Sequence, residues 1–154
     1  MYVVYYGIGN SFSGSLATQL HLNKVPKDKT KPQQLNTVLQ YLIDLEGKAM
    51  GRLLFIGNDA NNNQVFLLNT GFAETIVLPA LKSVFDILQI NPDRLLLVDT
   101  TEITNYSFYF GRLLYRLGLT SKGLKLMSGG VSKEFTKIEE LVKDICTKLN
   151  NKGS

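Results

Sequence analysis

The run Leu95–Leu96–Leu97–Val98, framed by Arg94 and Asp99, constrains the fold more than any other stretch. Four consecutive aliphatic residues without alternation suit a strand buried on both faces, as in a parallel sheet flanked by helices. Parallel neighbours need long crossovers, which are usually helical, so the run predicts an α/β chain.

The rest of the sequence supplies such units. Residues 2–6 (YVVYY) form a compact β-rich run, and SGSLATQLHL continues as a short helix with Leu16 and Leu20 on one face. A second helix is expected over about 33–46, where the stripe Leu35, Val38, Leu39, Leu42, Ile43 gives way to Glu46 and Gly47 stops it. Apolar runs at 53–56 and 65–68 flank an Asn/Asp-rich turn, the pattern of an antiparallel hairpin. A third helix spans about 74–89, with Ile76, Val77, Ala80, Leu81, Val84, Phe85 and Leu88 turned inward. A fourth spans about 105–117, capped by Gly118 and sending the aromatics at 106, 108, 109 and 110 toward the core.

A short strand is expected at 124–127 (LKLM), leading through SGG into a last helix striped by Phe135, Ile138, Leu141, Val142, Ile145 and Leu149. The fold class is therefore α/β: a single-domain sandwich over 1–149, with 150–154 a frayed tail. Its sheet is mixed and mostly parallel, with helices on both faces, Rossmann-like or P-loop-like in the broad sense. The strands 2–6, 95–98 and 124–127 should be mutually parallel.

The 154 residues can bury a core without disulfides or metal. Cys146 is the only cysteine, a usage that fits a reducing cytoplasm. The apolar run at 2–8 follows Met1 without a basic segment and is too short to span a membrane. Much of the net charge of +4 sits in Lys24, Lys27, Lys29 and Lys31, opposed there by Asp28 alone. No aromatics interleave with these lysines, so the stretch reads as a solvated loop and nucleic acid is not the expected partner.

In such sheets ligands sit outside the carboxyl ends of parallel strands. Three loops should meet there, at 7–15, 99–105 and 128–132. The first leads into a helix N-terminus, where orphan N–H groups and the helix dipole favour an anion. The candidate anion site is therefore Gly7, Gly9, Asn10, Ser11, Ser13, Gly14 and Ser15, with Asp99, Thr100 and Arg112. Ser11 or Ser13 is expected at the N-cap, with the amides of 13–15 pointing toward Asp99's edge.

Gly9 to Gly14 satisfies the spacing of half a Walker A loop, and Asp99 ends a strand as a Walker B aspartate does. The continuation is Gly14-Ser15-Leu16 rather than Gly-Lys-Ser/Thr, so both the phosphate-reaching lysine and the metal-binding hydroxyl are missing. A charge-assisted contact is worth about 1.5–3 kcal/mol, and ATPase activity is not expected. The dinucleotide pattern fails at Phe12.

Read together, VVYYGIGNSFSGSLATQLHLNKVPKDK, TIVLPALKS and RLGLTSKG resemble the Firmicutes family of unknown function catalogued as domain of unknown function 3189. Its pattern has a strand ending Tyr-His, a Gly-Gly-x-His-Ser-Ser loop, and a helix closing in His-Leu before a Pro-containing loop. Tyr5, Gly9, Ser13 and the pair His21-Leu22 match it. Tyr6 and Phe12 stand where the pattern has histidines, Asn10 replaces its second glycine, and Gly14 its second serine.

The resemblance implies no activity or cofactor, and any chemistry run by those loop histidines in relatives is absent here. His21, the only histidine, reads as structural or as a helix-dipole partner. Cys146 reads as a plain helical thiol, Arg112 and Arg116 share a helix face, and no metal-ligand spacing occurs. Two readings of function stay open. One is a domain binding a small anion or phosphoester, a vestigial or unusual enzyme. The other is a non-catalytic module that binds a protein partner.

Overall fold

The central strand comes first in the chain. In a computed structural model, which describes residues 1–8, 12–24, 32–103 and 106–152, β1 (Tyr2–Gly7) is flanked by β3 (Gln64–Asn69) and β4 (Leu95–Asp99). Both neighbours run parallel to β1, in registers Tyr2↔Gln64 and Tyr2↔Leu95. β2 (Leu53–Asn58) adds antiparallel to β3, giving the order β2-β3-β1-β4. The hairpin and the parallel pairing of strands one and four are as the sequence predicts.

Strand alternation divides the sheet into two unlike faces. The inner face carries Val3, Tyr5, Val65, Leu67, Leu96 and Val98. It packs against α1 (Ser13–His21), α2 (Pro32–Lys48) and the long α5 (Thr120–Lys152). Leu16, Leu39, Leu42, Ile138, Val142, Ile145 and Leu149 fill the space between these layers. The outer face carries Tyr2, Val4 and Tyr6 with Phe66, Leu68, Leu53 and Phe55. There α3 (Glu74–Ile87) lays Phe85 against Tyr2, ring to ring in a T at 5.4 Å.

Three expectations need correction. Residues 124–127 are not a strand, and 128–132 are not a loop at the ligand edge, because both lie inside α5. Gly123, Met127, Gly130, Glu134, Ile138 and Val142 are buried at intervals of three and four, which is one helix stripe. The glycines in it admit α4 (Tyr106–Arg116): a Cβ on Gly123 would lie 2.6 Å from the carbonyl oxygen of Gly111. What reads as a loop signal is thus a helix-packing signal. Gly118 makes the turn between α4 and α5 at φ +85°, as its capping role predicts.

Second, α3 does not turn all its apolar residues inward. Phe85 is buried, but Ile76, Val84 and Leu88 are exposed. The apolar arc of this helix is wider than the strip of sheet beneath it. Third, α2 runs one residue past Gly47, and α4's aromatics divide, with Phe108 buried against Phe12 and Phe110 exposed. Lys27, Lys29 and Lys31 lie outside the described residues. α5 continues through Asn150, whose Oδ1 accepts from Asn61 Nδ2 at 2.7 Å. Among the described residues no helix is long and apolar enough to cross a membrane.

Candidate functional site

The carboxyl ends of β1, β3 and β4 gather on one edge, and α1 starts there. Gly7 ends β1 with its carbonyl accepting from the backbone N–H and the hydroxyl of Thr70, both at 3.1 Å. Thr100, just past β4, returns to β1 in the same manner: its N–H and its hydroxyl donate to the Tyr6 carbonyl at 2.9 and 2.8 Å. Ser13 then ties the start of α1 to this turn, donating to the Thr100 carbonyl at 2.9 Å. The site residues Gly7, Ser13 and Thr100 therefore form one hydrogen-bonded seam. Gly9, Asn10 and Ser11 lie outside the described residues.

The N-terminus of α1 differs from the expected cradle. Its N-cap is Phe12 and carries no side-chain cap, so Ser13 does not play that part. Ser13, Gly14 and Ser15 are all buried. The amide of Ser15 donates to Glu46 Oε1 on α2 at 2.7 Å, while Asn69 Nδ2 donates to Glu46 Oε2 at 3.1 Å. The anion met by this helix end is thus a carboxylate of the same chain. Gly14 is what lets it in: a Cβ there would lie 2.8 Å from Leu67 Cδ1 and 3.3 Å from Glu46 Oε1.

Burial pushes the Glu46 carboxyl up to about 7, against the opposing pull of the Ser15 and Asn69 hydrogen bonds and the charge of Arg112. Arg112, on α4, is half-buried, and burial together with the neighbouring Arg116 lowers its pKa. Among the described residues it forms no hydrogen bond and no ion pair within 4 Å. Its field reaches Glu46, so Arg112 belongs to this edge. Asp99 stands on the outer side of β4, in register with Tyr6, and its Oδ1 accepts from the Thr101 amide at 2.7 Å. Burial and the charges of Asp99 and Glu74 push the Tyr6 hydroxyl up to about 12.

A second polar cluster occupies the opposite edge. The Tyr5 hydroxyl lies 2.7 Å from His21 Nδ1, and His21 Nε2 lies 3.1 Å from Asp59 Oδ2. A carboxylate only accepts, so Nε2 carries a proton, and in the neutral ring Nδ1 accepts from Tyr5. Burial works to raise the Asp59 carboxyl, but hydrogen bonds from Asn63, His21 and Asn61 bring it below its ordinary value. His21 and Cys146 both line a cavity of about 650 Å³. Both ring nitrogens of His21 are engaged, so no base is left for that thiol, which burial and Asp59 raise.

Glu46, Asn69, Tyr5 and Asp59 are missing from the candidate site read from sequence, although Tyr5 matches the family pattern. Glu46 had a signal: it falls four residues after Leu42 and seven after Leu39, inside the buried stripe. Among the described residues no His, Cys, Asp or Glu cluster could hold a metal.

No curated protein and no solved structure matches the chain. A family model does, over residues 2–147, a span that runs from β1 through most of α5 and takes in both clusters. The chain belongs to the family described as Protein of unknown function (DUF3189).

Proposed function

We propose that this chain binds a small oxyanion, a phosphate or phosphoester, at the carboxyl edge of its sheet. The observation that carries the reading is Arg112, a half-buried guanidinium that makes no hydrogen bond or ion pair among the described residues and whose charge acts on Glu46, the partner of the Ser15 amide. A partly desolvated cation without a counter-ion favours an incoming anion, and a planar guanidinium suits tetrahedral oxyanions. The buried Glu46 carboxyl, with its pKa near neutrality, takes up a proton more readily than an exposed one. Protonation there would relieve its repulsion of an anion at the neighbouring helix end. Ser13 and Thr100 hold the edge rigid, and Gly9, Asn10 and Ser11 complete the loop in sequence. No catalytic step is assigned.

The test is a phosphate titration followed by amide shifts. At about 10 mM phosphate, above the ~1 mM dissociation constant of a contact worth about 4 kcal/mol, the amides of residues 12–15 and 100–101 should move. Arg112→Gln should weaken the response about tenfold or more, the worth of a charge-assisted contact. Unmoved amides in the parent would overturn the reading.

A further inference from the structure

The outer face of the sheet is not covered out to its β2 edge. A ladder of rings crosses it: Phe55 lies 5.4 Å from Phe66, Phe66 6.3 Å from Tyr2, and Tyr2 5.4 Å from Phe85 of α3. The helix roofs the β1 end of this ladder. At the other end, on β2, Leu53 and Phe55 remain 38% and 52% exposed.

α3 itself carries more apolar surface than its own sheet uses. Leu81 and Phe85 face the strands, while Ile76, Ala80, Val84 and Ile87 follow at helical spacing along the opposite side. Ile76 is 71% and Ile87 77% exposed, and Leu88 at the C-cap 62%. The polar flank, Lys82 and Asp86, borders a cavity with Leu95 and Leu97 of β4. The unsatisfied flank therefore turns toward the exposed edge strand β2.

We propose that this face is covered by a second copy of the chain. A two-fold axis parallel to the strands would set the exposed side of each α3 against the β2 edge of the other copy's sheet. The two helices would then lie side by side between the sheets, with Lys82 and Asp86 facing solvent. Such an arrangement is isologous, as a two-fold interface must be.

The area suffices. Leu53, Phe55, Ile76, Val84, Ile87 and Leu88 leave on the order of 600 Å² uncovered, and a standard interface needs roughly 450 Å² of apolar surface per partner. The inference is independent of anion binding, which concerns the sheet's edge.

Sedimentation equilibrium of the full chain tests it. At micromolar concentration the parent should give twice the 17.2 kDa chain mass. Phe55→Glu and Ile76→Glu sit on different elements at exposed positions. Each should weaken association about thirtyfold or more while leaving the far-ultraviolet spectrum native. Phe110→Glu, an exposed aromatic on α4, should leave the dimer intact. A parent that stays at the mass of one chain overturns the proposal, and a partner of another kind is then what the face awaits. A dimer that survives both substitutions, or is broken by Phe110→Glu, overturns it as well.

Discussion

The two ends of α1 meet polar clusters of opposite character. At the C-terminal end His21 sits between Tyr5 and Asp59, and Asp59 is further held by Asn61 and Asn63. At the N-terminal end the Glu46 carboxyl is pushed toward neutrality and Arg112 has no bonded partner among the described residues. Both clusters suit the helix dipole, with a carboxyl group at the positive end and an imidazole at the negative one. Completeness separates them. A network with every atom paired holds elements together, whereas a displaced pKa beside an unpaired cation marks a place where a further group can bind.

The largest expected effect breaks the complete cluster. His21→Ala strands the Tyr5 hydroxyl and the Asp59 carboxylate beside an empty volume and should cost about 3 kcal/mol in denaturant unfolding. Because α1's far end is untouched, phosphate-induced amide shifts at residues 12–15 should persist. Their loss together with the stability would mean that the two ends are one unit.

An intermediate effect sharpens the contrast through pH. With Glu46 at about 7 when folded and near the ordinary carboxyl value when unfolded, the folded chain holds a proton between roughly pH 5 and 7 that the unfolded chain has released. Stability present at pH 5 should therefore decline as pH rises through 7, by on the order of 2 kcal/mol, and then level off. Unfolding curves of Glu46→Gln should lose most of that slope. A parent with flat stability from pH 5 to 8 would place Glu46 among ordinary carboxylates.

The smallest effect concerns the gap that admits Glu46. Gly14→Ala pushes a methyl group against Leu67, which overpacking makes unfavourable, while better helix propensity returns about 1 kcal/mol. A net loss of roughly 1 kcal/mol is expected. A stabilised variant would show that Leu67 gives way and that the gap is not tightly set.

Much of this architecture is legible in the chain. The hairpin around Asn61 to Asn63 and the stripe from Phe135 to Leu149 each carry a single period and landed where expected, while the run at 95–98 became the expected parallel strand but at the sheet's edge, with Val98 alone buried. Residues 124–127 did not, because four residues are too few to tell period 2 from period 3.6, and Gly129-Gly130 looks like a loop. Extending the stripe backward from Phe135 through Met127 to Gly123 would have resolved it. For α3 the period was right, but periodicity cannot say which half of a wide apolar arc the sheet will cover. The clusters were harder. Tyr5, His21 and Asp59 meet only through tertiary folding, and Ser15 finds Glu46 across another helix. Only Glu46 betrayed itself, by its place in a stripe of leucines.

The sheet order has a consequence for how the chain is made. Of the four strands β1 is made first, yet the strands that flank it begin at Gln64 and Leu95. Its inner side is roofed in part by Ile138, Val142, Ile145 and Leu149, which come later still. During synthesis the hairpin of β2 and β3 is the one strand pair that needs nothing distant. The aliphatic core of β1 must stay unpaired until Gln64–Asn69 has emerged, and on its other side until Leu95–Asp99 follows, and long-range closure of this kind is slow. The first strand to be written is thus among the last to be enclosed.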